Sequence, residues 1–323
     1  MSPLEIGLVI FVVLLALFAT GMPIAFALGA VSVGALMLTE GPGALETLSE
    51  TFFAGLSSFT LVSIPMFILM GAAVASSPAG RDLYAALDRW LNRVPGGLVL
   101  SNLGACSLFA ALSGSSPATC AAIGKMGIPE MRARGYPSDI AAGSIAAGGT
   151  LGILIPPSIT MIVYGISTET SIGRLFLAGV LPGVMLTAIF MAWTIFACWR
   201  RGLGLSELTQ HFTLREKLEV LPRVLPFLAV IAGILYVLYG GIATPSEAAG
   251  VGAVFCLVLV IVVYRMFKAG PIFEIFRSTT KESVMIMLII AASELFAFTL
   301  SSTFVTQSIA QWIADLEVNR WVL

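Results

Sequence analysis

Charge is what this 323-residue sequence has least of: 11% of its residues are charged, against roughly 25% in a soluble domain. With 58% hydrophobic residues, no water-soluble fold can hide so much apolar surface, so the expected solvent for most of the chain is lipid. Histidine is reduced to His211 alone, in a polar stretch, which leaves almost no material for a transition-metal site or a Ser/His/Asp hydrolase. The four cysteines, Cys106, Cys120, Cys198 and Cys256, lie far apart in apolar stretches with no Cys-x-x-Cys pair, and they read as small packing residues. The amino terminus lacks a basic n-region, carrying Glu5 instead, and no small-residue cleavage site follows. The first apolar block is therefore expected to be a retained span.

What is present is apolar sequence in blocks about as long as a bilayer-crossing helix, roughly 20 residues. They cover residues 4–20, 23–39, 52–77, 98–128, 139–165, 175–199, 224–241, 246–264 and 283–304. The predicted class is an all-α polytopic membrane protein. Its basic residues form four clusters: Arg81, Arg89 and Arg93; Lys125, Arg132 and Arg134; Arg200, Arg201, Arg215, Lys217 and Arg223; and Arg265, Lys268, Arg277 and Lys281. Only Arg174 and Arg320 of the 17 fall outside them. By the positive-inside rule all four loops belong on the cytoplasmic side, and an even number of crossings must separate any two of them. The single block between the first and second clusters, residues 98–128, meets that condition only by turning back inside the membrane.

Its sequence agrees. LVLSNLGACSLFAAL and ATCAAIGKMGIP flank SGSSP, giving two arms too short to cross about 30 Å at 1.5 Å per residue. Ser113 to Pro117 form the tip of a re-entrant hairpin, where backbone freed from helical pairing must be received by protein or by a water-filled cavity. The next block holds Gly148, Gly149 and Gly152 and then Pro156 and Pro157. Two adjacent prolines remove two donors and clash with the preceding turn, so the helix is expected to unwind there.

A lone glycine or proline in a membrane helix usually serves packing. A serine-rich tip followed at once by a Gly/Pro break points instead to an ion or substrate site built from half-helix ends. The hydroxyls of Ser113, Ser115, Ser116 and Thr119, with carbonyls around Gly149, Gly152, Ile155 and Pro157, are hard, uncharged donors that suit a weakly held monovalent cation. Gly114, Ser116, Pro117 and Thr119 of the tip, with Thr150 and Pro156 of the break, are the residues expected to meet the substrate.

Residues 51–93, a span followed by the amphipathic GRDLYAALDRWLNRV, are echoed at 281–320 by a span followed by VTQSIAQWIADLEVNR. Apolar spacing matches around Trp90 and Trp312. The first copy carries Arg81, Arg89 and Arg93, and the second Asp315, Glu317 and Arg320. Counting crossings puts the first inside and the second outside, as an inverted repeat requires. A second hairpin and broken helix are then expected after Trp312, beyond Leu323.

The ordered motifs GMPIAFALG (21–29), SIPMFILMG (63–71), SGSSPATCAAIG (113–124), GGTLGILIPPSI (148–159), LAGVLPG (177–183) and GGIATPSEAAGVG (240–252) resemble the large permease subunit of tripartite ATP-independent periplasmic (TRAP) transporters over essentially the whole chain. The resemblance implies a sodium-coupled, elevator-type importer of the bacterial inner membrane. Its partners would be a small four-helix membrane subunit and a periplasmic solute-binding protein that delivers carboxylate-bearing substrates. Sodium ligands would be Ser113, Ser115, Gly149, Gly152, Ile155 and Pro157. The family's second hairpin and its sodium-site elements have no counterpart in this sequence. No cofactor beyond coupling sodium, no nucleic acid and no catalytic residue is implied.

The implied organisation is scaffold spans at 1–77, an amphipathic interfacial arm at 78–97 and a transport-domain half at 98–165. Further scaffold spans follow at 166–264, and the start of the second inverted repeat at 265–323. Glu294, inside a span, is a functional candidate by depth, with structural pairing slightly favoured. Glu247 completes a capping box with Thr244 and Pro245. The rival reading is a channel or passive pore that uses hairpin carbonyls. An intramembrane enzyme is disfavoured by the scarcity of histidine and of paired carboxylates.

Overall fold

The structure is a computed structural model that describes residues 2–203 and 212–315, apart from the side chains of Leu45 and Arg223. His211, Glu317 and Arg320 lie outside the described residues. Among those described, all regular structure is helical, and the chain forms two compact units, residues 1–59 with 284–323 and residues 60–283.

The first unit is built from α1 (Pro3–Ala19), α2 (Ile24–Thr39), α3 (Ala44–Leu56), the latter part of α14 (Ala269–Ser302) and α15 (Val305–Asp315). Ser2 and Glu5 form a capping box that starts α1, satisfying two of its orphan amides. Leu36, Ala44, Leu48 and Leu295 make one small core and Ala25, Leu28 and Ala292 another. Glu294 lies half-buried over Gly55.

Two expectations change here. The block read as one span at 52–77 is broken: α3 ends at Leu56, a 3₁₀ turn covers Phe59–Val62, and α4 starts at Ser63. The Ser57 hydroxyl donates to the Ala54 carbonyl at 2.9 Å, closing α3, and Pro65, which has no amide to donate, is tolerated only near a helix start. Conversely, the loop expected around Arg277 and Lys281 is helix. α14 runs through both, with Arg277 paired to Glu274 one turn back at 3.5 Å.

The second unit holds α4 (Ser63–Ala75), α5 (Ala79–Leu91), α6 (Gly97–Ser113), α7 (Ser116–Ala133), α8 (Ser138–Thr150), α9 (Ile159–Ser167), α10 (Ile172–Arg200), α11 (Leu214–Glu219), α12 (Leu221–Tyr239), α13 (Pro245–Val263) and the start of α14. Helices α10, α13 and α14 are long and apolar enough to cross a membrane. α10 exposes Leu181, Val184 and Trp193, as a wall against lipid must. α13 turns its small residues inward: Ala249, Ala253 and Cys256 are fully buried, and Gly252 lies under Met70 and Ile234. The predicted capping box of Thr244 and Glu247 starts this helix. Cys106, Cys198 and Cys256 are buried, Cys120 is partly so, and all four are free thiols.

Residues of the first three basic clusters come together around α5 and the base of the α6–α7 hairpin, and Tyr264, next to the fourth, reaches α5 as well. Arg134 pairs with Asp88 at 3.2 Å and Arg201 with Asp139 at 3.0 Å. The Lys217 ammonium sits 5.5 Å from the centre of the Trp90 ring, and Tyr264, beside Arg265, donates to Asp82 at 2.8 Å. Charge parity expects such residues to share one face of the membrane. Cysteines placed at Arg93 and Lys125 are accordingly expected to react with an impermeant reagent from one face of the membrane. Labelling from opposite faces would refute the hairpin.

Candidate functional site

The site is made where the hairpin tip meets the broken span. α6 ends because Gly114 takes up a left-handed conformation (φ 58°) that a side chain rarely adopts. Ser115 is extended and caps α7, its hydroxyl facing the Ala118 amide at 3.5 Å, with Pro117 in the first turn. The tip then ties itself together. Thr119 donates through its hydroxyl to the Ser115 carbonyl at 2.8 Å, and the Ser113 and Thr119 hydroxyls are 3.0 Å apart. Ser113 and Thr119 are essentially inaccessible and Ser115 is 9% exposed. So polar a cluster is held away from lipid because each member has partners, which is the condition for burying it at all.

The span after the hairpin is discontinuous, as the Gly/Pro pattern predicted. α8 ends at Thr150, one 3₁₀ turn covers Leu151–Ile153, and helix resumes only at Ile159. Pro156 and Pro157 are joined by a cis peptide bond, and the Ser158 hydroxyl closes the loop by donating to the Ile153 carbonyl at 2.7 Å. This break interlocks with the tip. The Ile159 amide donates to the Gly114 carbonyl at 3.2 Å. A Cβ on Gly114 would come 2.7 Å from the Pro157 carbonyl oxygen, and one on Gly152 would come 2.7 Å from the Ser115 carbonyl carbon and the Ser116 nitrogen. Backbone touches backbone on both sides, so the glycines are required by close approach.

The predicted residues are thus placed unevenly. Ser113, Gly114, Ser115, Thr119, Gly152 and Pro157 converge. Pro156 is buried in the loop and Ile155 packs against Gly183 of α10. The Ser116 hydroxyl is buried and has no hydrogen-bond partner among the described residues. Gly149 stays in α8 and packs under Cys120. Thr150 is exposed, its hydroxyl spent on the Ala147 carbonyl at 2.6 Å, and Pro117 is exposed at the tip's edge.

Two contacts had no signal in the sequence. Gly71 of α4 lies directly against Ser113, inside the quoted SIPMFILMG stretch but without chemistry to mark it. Glu282, in the fourth turn of α14, brings a carboxylate oxygen to 3.5 Å from the Ser115 hydroxyl. It stands 167 residues further along the chain, in a run read as the edge of a loop.

Asp88 and Arg134 fasten the base of this hairpin. Burial raises the Asp88 carboxyl above its ordinary range, while the Arg134 guanidinium beside it pulls the other way. Arg134 also holds Glu130, one turn back, at 2.8 Å.

A hydroxyl-rich hairpin tip buried against the unwound middle of a discontinuous helix is a feature of secondary transporters. The chain belongs to the family described as "Tripartite ATP-independent periplasmic transporter, DctM component", which matches residues 11–323. It is 39% identical over 290 residues to the C4-dicarboxylate TRAP transporter large permease protein DctM of Pseudomonas aeruginosa, covering 90% of this chain and 67% of that protein. It is 33% identical to the protein of the same description in Rhodobacter capsulatus, covering 98% of this chain and 74% of that one. The ectoine TRAP transporter large permease protein TeaC of Halomonas elongata is 31% identical, with 95% of this chain and 71% of that protein covered.

Proposed function

We propose that this chain is the permease subunit of a sodium-coupled importer in a bacterial inner membrane. It takes up a carboxylate-bearing solute handed over by a periplasmic binding protein and works beside a small four-helix membrane subunit. Residues 98–165 form the moving half in an elevator-type cycle, residues 78–97 the arm beside it, residues 1–77 and 166–264 the scaffold, and residues 265–323 open the inverted second copy.

The observation that carries this reading is the interlock of the tip with the break. It gathers the Ser113, Ser115 and Thr119 oxygens where two half-helix ends meet. One of their spacings matches that of ligands around a cation. The Ser113 hydroxyl is 3.4 Å from the Ser115 carbonyl oxygen, long for a hydrogen bond between oxygens. It is close to the separation of neighbouring ligands around an ion bound at about 2.4 Å. Neutral oxygen donors bind such an ion weakly enough to release it each cycle, as coupling requires. The carboxylate class is supported by the names of two relatives in which C4-dicarboxylates are the solute; ectoine in a third widens the range.

Uptake by the reconstituted complete complex, with C4-dicarboxylates and ectoine as trial solutes, is expected to require an inward sodium gradient. Ser115→Ala, which removes one donor at the tip, is expected to raise the sodium concentration needed for half-maximal uptake several-fold. Flux that ignores sodium would sink this reading and favour a passive pore.

A further inference from the structure

Beside the hairpin tip, inside the second unit, lies a cavity of about 620 Å³. Ser113 and Ser115 line its tip end, and Ala118, Ala121, Ala122 and Lys125 line it along α7, on one face of the helix by their three- and four-residue spacing. Ten residues separate Ser115 from Lys125, so the cavity runs about 15 Å down the hairpin at 1.5 Å per residue. Arg81 of α5 also lines it. The charged residues in its wall are Arg81, Lys125 and Glu282, and Glu282 is the one that contacts the tip, at Ser115.

Among the basic groups at this end of the unit, these two are the ones that line the cavity. Arg134, Arg201 and Lys217 are each engaged by a carboxylate or an aromatic ring. Arg81 and Lys125 are exposed and make no ion pair among the described residues. Two positive charges facing one small volume against a single carboxylate, with Ile68, Phe109 and Ile159 in its wall, leave that volume with a net positive potential.

We propose that this cavity is an anion vestibule, in which Arg81 and Lys125 draw a carboxylate-bearing solute away from the tip hydroxyls and Glu282 opposes its return. The proposal rests on the tip being the binding end of a transporter, and not on which ion drives it. It assigns charge selection to residues outside the tip and the break.

The test reads the charge of the cavity directly. In the complete permease in detergent, Cys120 is replaced by alanine and Ala121, one turn above Lys125, by cysteine. Two thiosulfonate reagents of equal size are applied, one ending in sulfonate and the other in trimethylammonium, and each rate is divided by its rate with free 2-mercaptoethanol. The anionic reagent is expected to be favoured about tenfold. Arg81→Gln with Lys125→Gln is expected to abolish the preference, Arg81→Lys with Lys125→Arg to keep it, and Glu282→Gln to widen it. Equal normalised rates in the parent, or a preference that survives the double glutamine substitution, overturns the proposal. So does a preference lost equally in the charge-conserving pair, which would trace the effect to packing. A preference narrowed by Glu282→Gln removes the acid from its assigned part. No sodium gradient enters this measurement, so sodium-indifferent uptake would defeat the coupling reading separately.

Discussion

Gly152→Ala is expected to lower sodium-driven uptake by about a hundredfold, the scale on which a displacement of roughly 1 Å disables a positioned site. The added Cβ would lie 2.7 Å from the Ser115 carbonyl carbon and the Ser116 nitrogen and 2.8 Å from the Ser115 carbonyl oxygen. Those are backbone atoms of the tip, locked by the Thr119 hydroxyl and by the start of α7, and no flexible side chain can yield in their place. The tip must move off the break, carrying the Ser113 and Ser115 oxygens with it. Overpacking of this kind also costs about 1–3 kcal/mol of stability, so folding is checked first by the thermal transition of the purified protein. Gly143→Ala is the matched control. It is a helical glycine of α8 with open space around its Cβ position, and it should leave uptake unchanged. Uptake by Gly152→Ala within about threefold of the parent, less than 1 kcal/mol by the tenfold-per-1.4 kcal/mol scale, would mean that the interlock plays no part in transport.

The parts of this site that could be read from the sequence are those where backbone chemistry leaves a mark. Gly114 with Pro117 announces a turn, Pro156 with Pro157 announces unwinding, and Thr244 with Glu247 announces a helix start. Each is a local cause acting within a few residues. Charge parity added one non-local expectation, that the basic loops share a face; Arg134 beside Asp88 and Arg201 beside Asp139 place residues from the first three of those regions near one another. What stayed hidden depends on contacts between distant elements. Ser57 and Ser58 are too common in membrane helices to foretell the end of α3. Arg277 and Lys281 looked like loop residues because charge was taken as a boundary, whereas a helix leaving the bilayer carries charge easily on its outer turns, here with Glu274 as a partner. Glu282 and Gly71 have no motif. Their place at the tip is set by how α14 and α4 pack, which residue pattern alone does not specify.

The Asp88–Arg134 pair should make the hairpin base sensitive to pH when its cation is removed. Asp88 is 6% exposed on α5, while Arg134 closes the second hairpin arm and reaches both carboxylate oxygens, at 3.4 and 3.2 Å. Arg134→Met leaves a buried carboxylate without its cation, a situation that costs 3–5 kcal/mol in a fully buried pair; the partial exposure of Arg134 brings the expectation to about 2 kcal/mol at pH 8. Asp88→Asn is expected to cost less, because Arg134 keeps Glu130 and remains partly solvated. The direction with pH follows from burial. The folded Asp88 carboxyl already titrates above its ordinary value because burial disfavours the charged form, and Arg134 counters that rise. Without Arg134 the folded value rises further. A carboxyl raised in the folded state favours folding most when protonated, so its contribution is intact below the unfolded value, about 3.9, and is lost as pH climbs through the folded one. The deficit of Arg134→Met relative to the parent should therefore be largest at pH 8 and shrink as the medium is acidified toward pH 5, followed by thermal unfolding in detergent. A deficit independent of pH would assign Arg134 to packing through its aliphatic stem, and the ion pair would then not be what holds the arm helix to the hairpin.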